Sequence, residues 1–147
     1  QIEDLIKAAV TPLEIALDIR DITLEVQMQP DLQHRGDISW MTEAVSNILK
    51  NCMEHTPSGG HIRIVTKDNP LYLLIKITDS GRGFTKQDLP HIFERFYRGQ
   101  NADTDSVGIG LALAKRIIIA QNGTIRAYNH KKDGGAVFEI RMYKGAV

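Results

Sequence analysis

The chain has 147 residues, 42% hydrophobic and 24% charged, which is the balance of a soluble globular domain able to bury a core without disulfides or a structural metal. Its 18 basic and 18 acidic side chains cancel, which argues against attachment to nucleic acid or membrane through bulk charge. A lone Cys52 excludes an internal disulfide and a thiolate zinc cluster and suits a reducing compartment, and no apolar run approaches the roughly twenty residues that span a bilayer. The chain starts at Gln1 with no Met and no signal peptide, so a single domain over residues 1–147, cut from a longer protein, is expected.

Helical spacing of Ile2, Leu5, Ile6, Ala9, Leu13, Ala16 and Leu17 predicts a helix to about Arg20, kinked or split at Pro12. Residues 22–28 alternate as a strand does. Asp37 is a plausible N-cap for a helix to about His55 with the stripe Met41, Ala44, Val45, Ile48, Leu49 and Cys52, closed by Pro57, Gly59 and Gly60. Strands are expected over 61–67 and 71–78, around the turn Asp68-Asn69-Pro70, and a short helix over 88–96. A strongly periodic helix over 108–122 precedes two strands, 124–129 and 136–143, joined by a turn at Asp133-Gly134-Gly135. The order implies an α+β, two-layer α/β sandwich, its mixed, mostly antiparallel sheet packed on about three helices.

Four segments carry chemistry. Asn47 and Asn51 lie at i and i+4 beside the apolar stripe, where a carboxamide oxygen can coordinate Mg²⁺; two polar residues on a solvated flank would look the same. Asp79-Ser80-Gly81-Arg82-Gly83 follows a strand. A carboxylate there can accept from an exocyclic amine such as adenine N6, and the glycines permit close approach of a flat base; the bland reading is a tight turn. Gly108, Ile109, Gly110 and Leu111 open a helix whose free N–H groups can take a phosphate, without the Walker signature or the full dinucleotide pattern; a helix merely started by glycines would look the same. Between the glycine motifs, Phe93-Glu94-Arg95-Phe96-Tyr97-Arg98 leads into a polar stretch with little to bury, so residues 85–107 have the profile of a lid anchored by its aromatics.

In this order the segments resemble the N box, first glycine box, F box and second glycine box of sensor histidine kinases. The chain is similar to the catalytic and ATP-binding domain of that family, within the GHKL superfamily of gyrase-like ATPases, from about Ile2 to Tyr143. The resemblance implies ATP bound between the N-box helix and the lid, with ADP as product. Asn51, helped by Asn47, would hold Mg²⁺; Asp79 would read the adenine amine; Gly81 and Gly83 would admit the base. Gly108, Ile109, Gly110 and Leu111 would take the phosphates, with Phe96 and Arg98 as lid contacts. Guanine would face Asp79 with a second acceptor, a loss of about 1–3 kcal/mol.

Hydrolysing gyrase-like relatives carry Glu one turn before the metal Asn. Asn47 stands there, and an amide is no general base at neutral pH. The resemblance therefore implies phosphoryl transfer to a histidine on a separate dimerising hairpin, then to a response-regulator aspartate, in a homodimeric parent. That places this domain in the cytoplasm, beneath a membrane-anchored sensor, with no contact of its own to membrane or nucleic acid. Glu54 and His55 depart from the family, which has Lys and an aromatic there; Lys50, Arg98 and Lys115 are the cations available to compensate. None of His34, His55, His61, His91 and His130 has the acidic context of a phosphoacceptor, so the fragment is expected to bind Mg·ATP without labelling itself. Two other readings share these boxes: an anti-sigma-type serine kinase, and a non-catalytic module whose lid docks a partner when nucleotide is bound. Trp40 is expected as a rim or core aromatic, Cys52 as a packed thiol, and Lys131-Lys132 as a solvated turn.

Overall fold

In the computed structural model, residues 1–34, 36–95, 110–132 and 134–145 are described. The N-terminal helical pattern divides where Pro12 removes a backbone donor: α1 (Ile2–Val10) and α2 (Glu14–Ile19) flank a 3₁₀ turn over Thr11–Leu13. The side chain of Asp37 caps α3 (Ile38–His55), accepting from the Trp40 amide at 3.1 Å. The buried residues of α3 are the six of the expected stripe.

Strands β1 (Thr23–Gln27), β2 (His61–Asp68), β3 (Tyr72–Asp79), β4 (Gly123–Asn129) and β5 (Ala136–Tyr143) form one sheet in the order β1-β2-β3-β5-β4. Only β1 and β2 run parallel; the other pairs are antiparallel. At the β2–β3 turn, Asn69 Oδ1 accepts from the Leu71 and Tyr72 amides at 2.8 and 2.9 Å. Edge strand β1 is less covered than its alternation suggests, with Val26 40% exposed.

Period-two alternation turns Ile62, Ile64, Leu73, Ile75, Ile77, Phe138, Ile140 and Met142 to one face, where each is buried. Against them lie α1, α3 and α4 (Gly110–Ala120), giving the expected two-layer α+β sandwich with a mixed, mostly antiparallel sheet. The end of α4 braces the start of α3, because Gln121 Oε1 accepts from the Asp37 amide at 2.8 Å.

Two expectations need correction. The helix expected over 88–96 is, among the described residues, only a 3₁₀ turn at Leu89–His91. Pro90 contributes no donor, and the aromatic Phe93 is held by ring contacts instead of a helical face. The helix expected to reach Asn122 ends at Ala120, and Asn122 turns the chain with a positive φ of 63°. Trp40, 54% exposed, is a rim residue.

The other face of the sheet is polar. Glu139 accepts from Arg126 Nε at 2.8 Å and from the Tyr128 hydroxyl at 2.5 Å, and Arg141 lies over the Tyr72 ring with its guanidinium carbon 4.9 Å from the centroid. Burial pushes the Glu139 carboxyl up, but the bonds from Arg126 and Tyr128 outweigh it and hold it below the usual glutamate range.

Candidate nucleotide site

Asp79 ends β3 at the edge of the helix layer and is buried, 3% exposed. Its Oδ1 accepts from the Gly81 amide at 2.9 Å and from the Ala136 amide at 3.2 Å. Its Oδ2 is buried with no hydrogen-bond partner. Such an atom costs about 1–3 kcal/mol unless a ligand pairs with it. Burial raises the carboxyl above its ordinary range, against the pull of the Ala136 and Gly81 amides.

Beneath it lies Cys52, fully buried, its thiol pushed well up first by burial and then by the Asp79 carboxylate. The thiol bears on the Asp79 carboxylate only as a weak donor, and Oδ2 is left able to accept a stronger one. From the sequence alone Cys52 reads as a packed thiol. Its place directly after Asn51, on the buried face of the same helix, was the available signal for more.

The two glycines of this loop are required by the protein's own packing. A Cβ on Gly81 would run into the His55 carbonyl, and one on Gly83, where φ is +75°, into the Gly134 carbonyl. His55, at the C-terminus of α3, also meets the Phe84 ring edge-on at 6.0 Å between centroids, a loop contact. Phe84 continues to Phe138 at 5.9 Å, and Phe138 to Phe93 at 6.4 Å. Phe138, fully buried near the start of the inner strand β5, thus anchors both the glycine loop and the start of the polar segment. Lys115 of α4 lies over the Phe93 ring at 5.3 Å.

One turn of α3 carries the amides. Asn47 and Asn51 are half-buried, and each has a buried atom without a partner: Nδ2 of Asn47 and Oδ1 of Asn51. The free oxygen of Asn51 fits a hard cation, which takes neutral oxygen ligands alongside phosphate and water. Asn47 presents a donor suited to an anion or a metal-bound water, and a half-turn of its amide presents oxygen instead. Helix α4 begins beside it: a methyl group on Gly110 would lie 3.8 Å from the Asn47 side chain. The structure therefore brings Asn47, Asn51 and Gly110 together, with Leu111 buried behind them. Phe96, Arg98, Gly108 and Ile109 lie outside the described residues, as does most of the expected lid.

Residues 36–145 match the family described as histidine kinase-, DNA gyrase B- and HSP90-like ATPases. The sensor histidine kinase YvrG of Bacillus subtilis is 30% identical over 121 residues, covering 81% of this chain and 21% of the relative. SenX3 of Mycobacterium tuberculosis is 28% identical over 144 residues, covering 96% and 35%. The chain thus spans only a fifth to about a third of these curated relatives. The mycobacterial sensor histidine kinase MprB superposes with a TM-score of 0.81 at 29% identity, covering 93% of each chain. The nucleotide-free catalytic domain of histidine kinase ThkA shares the fold, with a TM-score of 0.85 at 23% identity over 97% of this chain and 94% of that one. On that family match and these relatives, the chain belongs to the histidine kinase-, DNA gyrase B- and HSP90-like ATPase family, as an ATP-binding catalytic domain of the sensor histidine kinase type.

Proposed function

We propose that this domain binds Mg·ATP and presents its γ-phosphate to a histidine on a separate helical hairpin, from which the group passes to a response-regulator aspartate. The observation that carries the reading is the divided Asp79 carboxylate, with Oδ1 engaged by two backbone amides and Oδ2 buried and open. An exocyclic amine is the donor that completes it. Adenine brings one to that edge; guanine brings a carbonyl, which leaves the oxygen unpaired.

The phosphates extend toward Asn51, Asn47 and the start of α4. Asn51 Oδ1 would be a protein ligand of Mg²⁺, with Asn47 directed at a phosphate oxygen or a second position on the ion. When bound, Mg²⁺ neutralises and orients the phosphate oxygens. Gly108, Ile109 and Arg98 complete the phosphate end in this reading, and Phe96 completes the lid anchor. Because Asn47 stands where hydrolysing relatives carry a general base, water is a poor acceptor. The acceptor imidazole nitrogen bonds to the γ-phosphorus as the bond to the bridging oxygen breaks, and ADP leaves. In one structure of the same fold, ThkA is in complex with the response regulator TrrA, which supports a regulator as the final acceptor.

The decisive experiment titrates ATP, ADP and GTP with and without Mg²⁺ against this chain and Asp79→Asn, then offers labelled ATP together with a separately supplied phosphoacceptor hairpin. We expect ATP to bind in preference to GTP, the preference to vanish in Asp79→Asn, and acid-labile label to appear on the hairpin and none on this chain. Binding indifferent to the base overturns the site. Failure to label the hairpin despite tight ATP binding overturns the kinase reading.

A further inference from the structure

We propose that Asn129 is a positioning residue for base recognition, holding from the β4–β5 hairpin the loop that follows Asp79. The inference rests on the reading of Asp79 given above. Asn129 is the last residue of β4, and its carboxamide grips the Phe84 backbone at both ends: Oδ1 accepts from the Phe84 amide at 2.8 Å and Nδ2 donates to the Phe84 carbonyl at 2.7 Å. A carboxamide has the same donor–acceptor pair as a peptide unit, so Asn129 does for this loop what a neighbouring strand does in a sheet. The two residues are 45 positions apart, and the bond pair fixes that long closure at one point.

The hairpin also meets this segment through Ala136, Gly135 and Gly134. The Ala136 amide donates to Asp79 Oδ1, and a Cβ on Gly135 would strike the Asp79 carbonyl. On Gly83 an added Cβ would lie 2.5 Å from Asn129 Oδ1, so the loop backbone passes directly over the amide that holds it. Asp79, Gly83 and Phe84 thus all meet one hairpin end, and the Gly81 and Ala136 amides that take Oδ1 leave Oδ2 as the open atom. Only Asn combines the right reach with both bond types. Asp retains the acceptor but sets a carboxylate against the Phe84 carbonyl, and Ala removes both bonds.

The test measures dissociation constants for ATP and for purine riboside triphosphate, which lacks the exocyclic amine. It compares the unsubstituted chain, Asn129→Ala, Asn129→Asp, Asp79→Asn and the Asn129→Ala/Asp79→Asn pair. We expect Asn129→Ala to lower the preference for ATP at least threefold while the analogue binds within twofold of its original affinity. In the Asp79→Asn background the same change should remove no further preference, since its effect passes through that carboxylate. Should Asn129→Ala not fold, Asn129→Asp carries the same comparison. Equal weakening of both nucleotides, or an unchanged preference, overturns the inference while leaving Asp79 as the base reader. An unsubstituted chain that does not distinguish the two nucleotides overturns the reading of Asp79, and this inference with it.

Discussion

Around Asp79, one carboxylate oxygen is bonded to two backbone amides while the other is buried without a partner, and the following loop is pressed between the His55 carbonyl, the hairpin and the Phe84–Phe138 ring contact. At the Asn47–Asn51 end, two amides on a single helical turn each keep a buried atom without a partner. The contrast separates shape from charge. Recognition of a flat base needs a fixed acceptor in a fixed frame, which backbone packing from α3, β3 and the hairpin supplies before any ligand arrives. In the proposed reading, a metal and a polyphosphate need open valences, and their binding would repay the cost of leaving those atoms unpaired.

The largest effect expected on that comparison is from Phe138→Ala. It should cost about 3–5 kcal/mol in urea unfolding, and Phe84 and Phe93 would lose their common support. If stability falls by much less, the aromatic chain does not anchor the loop.

Next comes Asp79→Asn, which should weaken ATP by about 1–3 kcal/mol in calorimetric titration while the nucleotide-free chain melts no earlier. The sign follows from the raised carboxyl. Its folded pKa lies above the ordinary value, so the native state holds the proton more tightly, and apo stability falls as pH climbs from the usual aspartate range through the folded pKa. Bound amine favours the ionised form, so ATP affinity should decline on acidification while still above the usual aspartate range. The Asn variant should lack that decline.

Asn51→Ala sharpens the other end. It should remove most of the gain in ATP affinity that Mg²⁺ confers, roughly tenfold, and leave metal-free binding and ATP-over-GTP preference intact. Equal losses with and without Mg²⁺ would mean that the two ends are not separable.

The smallest effect is on the far face of the sheet. The bonds from Arg126 and Tyr128 depress the Glu139 carboxyl, so their stabilisation is present above the usual glutamate range and is lost as pH falls through the folded pKa. Glu139→Gln should lower Tm at neutral pH by no more than about 2 °C, since Arg126 is exposed, with nucleotide binding unchanged.

The α3 stripe, the split at Pro12, the Asn69 turn and the five strands were legible in the sequence because local periodicity and backbone chemistry determine them within a few residues. Asp79, Asn47 and Asn51 were legible as candidates because their residue types suit the chemistry and their spacing sets them on a strand end and one helix flank. The reason for the glycines was not: Gly81 and Gly83 are needed by the His55 and Gly134 carbonyls, which come from elsewhere in the chain.

Alternation and helical period by themselves determined which residues face inward, and so the two layers, since each depends only on neighbours along the backbone. Which oxygen of Asp79 is engaged and which is free was decided only by tertiary structure. Ala136 and Asn129 reach that loop across more than forty residues, and a bond between such distant groups leaves no periodic trace. The same holds for Phe138, whose position on the inner strand β5 lets one ring support both the glycine loop and Phe93.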